Sequence, residues 1–236
     1  MTLPVKLALQ PTDSFTTDLG YTVRIDRAQI AARDLTFTIA DETHTVSLLH
    51  LMSHALIPSA HAHPGHGESG EITGELLGLY VMDWFGQGGE LGSATLLAGT
   101  YASANFTFAR AAADTPGADD VLAGHTAVLS GVASTRGAPP ITFTFVIDSP
   151  EDRELLGIPF DAEIEESSAG SLSLSLEPVD PFEGDTLMDG IDFIKLDQDA
   201  DGVVLVEPND PDTEGAYNVF RRILQTHDHY IFQYQE

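Results

Sequence analysis

The chain has 236 residues, 42% of them hydrophobic, which suits one globular unit with a buried core. Against 10 Lys and Arg stand 37 Asp and Glu, and the formal charge of -27 repels phosphate backbones and anionic membrane surfaces while attracting cations; nucleic acid is excluded as an expected partner. There is no cysteine, so disulfides, thiolate metal sites and Cys nucleophiles are excluded, and no apolar run reaches the length of a membrane span.

Alternating apolar and polar residues dominate the chain, as half-buried strands require. Val5–Leu9, Tyr21–Asp26 and Asp34–Ile39 come first. From Thr43 to Leu56 the period changes. Leu48, Leu51, Met52, Ala55 and Leu56 share one helical face and Ser47, His50 and His54 the other, which predicts a short amphipathic helix. Val46–Ala62 imitates a signal sequence with its cleavage site, but it lacks a basic flank and lies inside the chain, so it is read as folded structure.

Short strands resume at Glu71–Leu76, Leu79–Asp83, Ala94–Leu97, Ala104–Phe108 and Thr126–Ser130, most of them separated by turns containing Gly. Ile141–Ile147 and Ser171–Leu176 alternate most cleanly. The stretch from Pro178 to Pro211 is rich in Asp, Pro and Gly and reads as a wrapped loop region with its own ion or as a loose cap on the sandwich. A second helix over Ala216–Gln225 presents Tyr217, Phe220, Ile223 and Leu224 on one face, and Tyr230–Tyr234 follows as a closing strand. The fold expected is mainly β, an antiparallel β-sandwich or Greek-key barrel with two short helices. It forms one β-rich domain over 1–236, with 179–236 as an α/loop extension packed on it.

Chemistry concentrates between the predicted helix and Glu71. His54, His61, His63 and His66 crowd one stretch, and neutral imidazole is the commonest protein ligand for zinc and copper. On an extended segment His61 and His63 share a face, and Pro64-Gly65 supplies a turn that brings His66 back toward them. His50, one helical turn before His54, offers a further ligand. Glu68 and Glu71 offer oxygen ligands or acceptors that orient an imidazole. The same residues also read as a solvated loop with no single defined site.

His61-x-His63, followed by Glu68 and by Gly74, resembles the first metal motif of the cupins. The resemblance implies a β-barrel enzyme, an oxygenase or isomerase, holding its metal by His and Glu side chains. Pro64-Gly65 stands where that motif continues a strand, and no second motif with a further His follows.

His227-Asp-His229 repeats the H-x-H spacing after the second helix, and the two pairs form either one composite site or two. Asp228 and Tyr230 around it fit an ordinary edge strand equally well. His125 at a strand start reads as a satisfied polar residue, and Trp84, the single tryptophan, reads as core or as a shield for copper. Asp197, Asp199 and Asp201, followed by Gly202, reproduce the first half of a calcium loop; the twelfth position, where a bidentate Glu belongs, is Pro208, and no EF-hand helix is evident ahead of the loop. The alternative is an acidic turn held by Asx hydrogen bonds.

No Gly-x-Ser-x-Gly elbow, phosphate-cradling loop or dinucleotide fingerprint is present. The expected function is capture, storage or delivery of zinc or copper outside the cytoplasm, periplasmic or secreted, with a metal transporter or receptor as partner. A surface binding or adhesion module with a structural calcium, and a cupin-like metal enzyme, are the alternatives.

Overall fold

The computed structural model describes residues 1–8, 13–39, 71–85, 89–150 and 152–236. The described chain is mainly β, with a mixed twelve-stranded sheet and two short helices, consistent with a sandwich-like or barrel-like fold. The strands are β1 (Thr2–Leu7), β2 (Phe15–Thr16), β3 (Thr22–Ile39), β4 (Ile72–Asp83), β5 (Glu90–Leu96), β6 (Gly99–Phe108), β7 (Ala127–Ser134), β8 (Ile141–Ile147), β9 (Glu154–Ile164) and β10 (Ser171–Leu176). Then come α1 (Phe193–Leu196), β11 (Val203–Val206), α2 (Glu214–Leu224) and β12 (Tyr230–Gln235).

The long strand β3 organises the molecule. Its first half pairs with β7, its second half with β6 along the same edge, and β4 runs beside Gln29–Thr38 on the other edge. One branch continues through β7 and β8 to β11; the other runs β9-β6-β3-β4-β5-β1-β10-β12. The far ends of this second branch, β9 and β12, lie side by side. Inside it Phe37, Phe160 and Phe232 meet edge to face, with centroids 5.3 to 6.0 Å apart. Trp84 belongs to the same core, fully buried, with its indole N–H donating to the Leu174 carbonyl at 3.1 Å.

Tyr21–Asp26 and Asp34–Ile39, expected as two strands, are one. The link escapes a period-two reading because Ala28 to Ala32 are buried on both faces. Ala31 packs in a small cluster with Val128 and Val146, and its neighbours Ile30 and Ala32 join the main core. Three strands lie outside the expected set: the two-residue β2, and β9 and β11. In β9 the alternation is shifted by Gly157, and Pro159 is tolerated because β6 is its only hydrogen-bonded neighbour among the described residues. The sheet is not wholly antiparallel, since β1 pairs with β10 and β8 with β11 in parallel.

A row of irregularities bends the second branch. Asp34 adopts a left-handed conformation (φ 54°) where β3 slips against β4, and its carboxylate accepts the Gly78 N–H at 3.1 Å. Across β6, Asn105 donates to the Thr36 hydroxyl at 3.3 Å and accepts from the Gly157 N–H at 2.9 Å, so the bulges of four strands are tied in line. Phe220 of α2 packs on Phe145 with centroids 4.8 Å apart, and Phe193 of α1 on Phe143 at 5.0 Å, covering the β7-β8-β11 branch.

Candidate cation sites

The predicted helix 43–56 and the residues His50, His54, His61, His63, His66 and Glu68 lie outside the described residues. Gly74, the last position of the cupin-like pattern, lies in β4, where a Cβ would stand 2.5 Å from Leu96; close packing is what requires glycine there.

Of the acidic positions read from the sequence, Asp197, Asp199 and Asp201 converge, with their carboxylate oxygens within 4.8 Å of one another. The loop is built from both sides. Ahead of it stands α1, a single turn and not an EF-hand helix, capped by Asp192, whose carboxylate accepts the Lys195 N–H, and followed by Asp197. The chain then curls through Ala200 (φ 57°) and Gly202 (φ 81°) into β11. Asp197 accepts the Gly202 N–H, and Asp201 accepts the Val203 N–H at 2.8 Å. Asp199 is exposed and takes part in neither bond.

A second acidic group went unnoticed in the sequence. Asp180, Glu183 and Asp185 also place ligand oxygens within 4.8 Å of one another, in a turn closed by the Val179–Thr186 bridge. Asp180 is buried and accepts the N–H groups of Phe182 and Glu183. Burial pushes the Asp185 carboxyl above the usual carboxylate range; attraction to His229 opposes the rise and the neighbouring Asp180 charge adds to it. The only sequence signal was the density of Asp, Glu and Gly from Asp180 to Asp185, which equally describes an ordinary turn.

His229 is buried against this turn's base, its Nδ1 2.9 Å from the Glu177 carbonyl. A carbonyl only accepts, so Nδ1 carries a proton. His227 lies with Nε2 3.3 Å from Asp228. Neither histidine joins a three-ligand group among the described residues. His125 holds the Asp148 carboxylate through Nδ1 at 2.9 Å.

No family model matches the chain, and neither the curated proteins nor the solved structures offer a match to it. The arrangement itself therefore has to supply the chemistry. Clustered hard oxygen ligands suit calcium or another hard divalent cation.

Proposed function

We propose that this protein binds divalent cations, and that the loop from Asp197 to Gly202 takes calcium as a structural ion. The observation that carries the reading is the convergence of three carboxylates at alternate positions, with a turn glycine at the sixth. Three negative groups held together in a chain of charge -27 repel one another, and a divalent cation relieves that repulsion. Without a Glu at the twelfth position the site belongs at the weak end of calcium affinity, about 10⁻⁴ to 10⁻³ M, which matches compartments outside the cytoplasm where calcium is abundant. A periplasmic or secreted surface-binding module follows as the setting.

The test is a calcium titration followed by thermal unfolding, beside Asp199→Asn. Calcium should raise the unfolding temperature in a saturable way, because a ligand bound only by the folded state stabilises it. The variant should lose that increment while unfolding normally without calcium. An equal response in the variant would sink the assignment.

A second reading, capture or delivery of zinc or copper, is favoured by the density of His54, His61, His63 and His66, with His50, Glu68, His227 and His229 as further ligands. Copper binds such nitrogen donors more tightly than zinc. Calorimetric titration of both metals against His61→Ala/His63→Ala separates this from a solvated loop: near-stoichiometric binding lost in the variant supports it, and weak binding unchanged by the variant ends it.

A further inference from the structure

The scarce cations of this acidic chain are not evenly spread. Two of its 10 Lys and Arg, Arg33 and Arg110, face one cleft of about 380 Å³. Arg33 stands at the bend of β3, directly across from Leu79 of β4, and Arg110 follows the end of β6. Leu79 gives the cleft an apolar wall over the buried Phe108, and Pro150 and Asp152, from the β8–β9 connection, also line it. Leu79 remains 41% exposed, so an apolar surface lies open beside two guanidinium groups.

Both arginines are held in place by carboxylates and not used up by them. Arg110 Nη2 lies 3.3 Å from Asp148, which is itself fixed by His125 and by the Tyr217 hydroxyl. Arg33 pairs with Asp152, whose side chain is 76% exposed. Such an open ion pair contributes little and gives way easily to a competing anion. A guanidinium has five N–H donors in a planar fork suited to a carboxylate. The backbone is also specialised here: of the four non-glycine residues with positive φ among the described residues, Asp34 (φ 54°) neighbours Arg33 and Asp152 (φ 62°) lines the cleft. The bulge at Asp34 sets the direction of the neighbouring Arg33.

From this arrangement we infer that the cleft between Arg33 and Arg110 binds a small organic anion, a carboxylate carried on an apolar body. The carboxylate takes the place of Asp152 on Arg33 and shares the remaining donors of Arg110, and the apolar body lies on Leu79. Elsewhere the negative surface disfavours anions, so the cleft selects its ligand against the field of the molecule. This site is independent of the cation reading.

The experiment is calorimetric titration of the full chain with octanoate and with its neutral counterpart 1-octanol, in about 0.15 M salt so that the overall charge is screened. Octanoate should bind saturably and octanol should not. Arg33→Gln and Arg110→Gln should each weaken octanoate by about tenfold or more, the loss expected when a charged hydrogen bond is removed. Arg136→Gln, far from the cleft in sequence and exposed, should change nothing. Unfolding temperatures of all variants confirm the fold; if Arg33→Gln fails to fold, Arg110→Gln decides. Absence of saturable octanoate binding, equal binding of octanol, or binding unchanged in the arginine variants overturns the inference.

Discussion

Gly131 in β7 shows how much a single hydrogen atom decides. A Cβ there would stand 2.1 Å from the Arg24 carbonyl oxygen and 2.9 Å from the Phe143 ring. Gly131→Ala should therefore force β3 and β7 apart and cost about 3 kcal/mol, the upper end for overpacking, in a denaturant unfolding series. Two carboxyls set the acid limit. Burial raises Asp119, but the Leu122 N–H and the Arg27 guanidinium outweigh it and hold the group below the usual range. Asp189 follows the same balance, with the Thr186 hydroxyl and the Asp18 N–H prevailing over burial. A carboxyl lowered on folding stabilises fully above its unfolded value, about 3.9, and that contribution disappears as pH falls through the lower folded value. Stability measured against pH should thus decline below about pH 4, and Asp119→Asn should flatten part of the decline. At this scale the sequence was partly readable. Asp197, Asp199 and Asp201 announce themselves by regular spacing, whereas Asp180, Glu183 and Asp185 meet only because the Val179–Thr186 bridge folds their turn.

Among the elements, the bend in β3 is the feature with the clearest mutational signature. Asp34 pairs a left-handed backbone with a side-chain bond to Gly78, so it needs both its conformational tolerance and its carboxylate. Asp34→Ala should cost about 1 to 3 kcal/mol, from strain and from the lost acceptor. Asp34→Gly should cost less, since glycine adopts positive φ freely; equal losses in the two would show that only the carboxylate matters. Strands whose two faces differ in chemistry were legible: Ile141–Ile147 and Ser171–Leu176 match β8 and β10 in full, the latter because Ser lines one face and Leu the other although both are buried. The middle of β3 was not, because Ala28, Ile30, Ala31 and Ala32 put apolar residues on both faces and erase the alternation. The bulge at Gly157 hid β9 by shifting its phase, and β11 is too short to show a period of its own.

For the whole molecule, charge is the dominant variable. With a net -27 the folded state carries more self-repulsion than the expanded one, so added salt should raise the unfolding temperature through screening. Calcium chloride should raise it further than sodium chloride at matched ionic strength, and coincidence of the two curves would leave screening as the whole effect. The mainly-β architecture was written in composition and turn spacing; the branching of the sheet was not, because it depends on which strand occupies each edge of β3. The place of β1 bears on how the molecule comes into being. Val5 pairs with Gly92 on one side and with Leu172 on the other, so β1 waits for a strand made much later than itself. Until then its apolar side chains, Leu3, Val5 and Leu7, have no lasting shelter. Assembly thus runs against the order of synthesis, favouring slow folding on the scale of milliseconds to seconds and leaving nascent chains the form most exposed to aggregation.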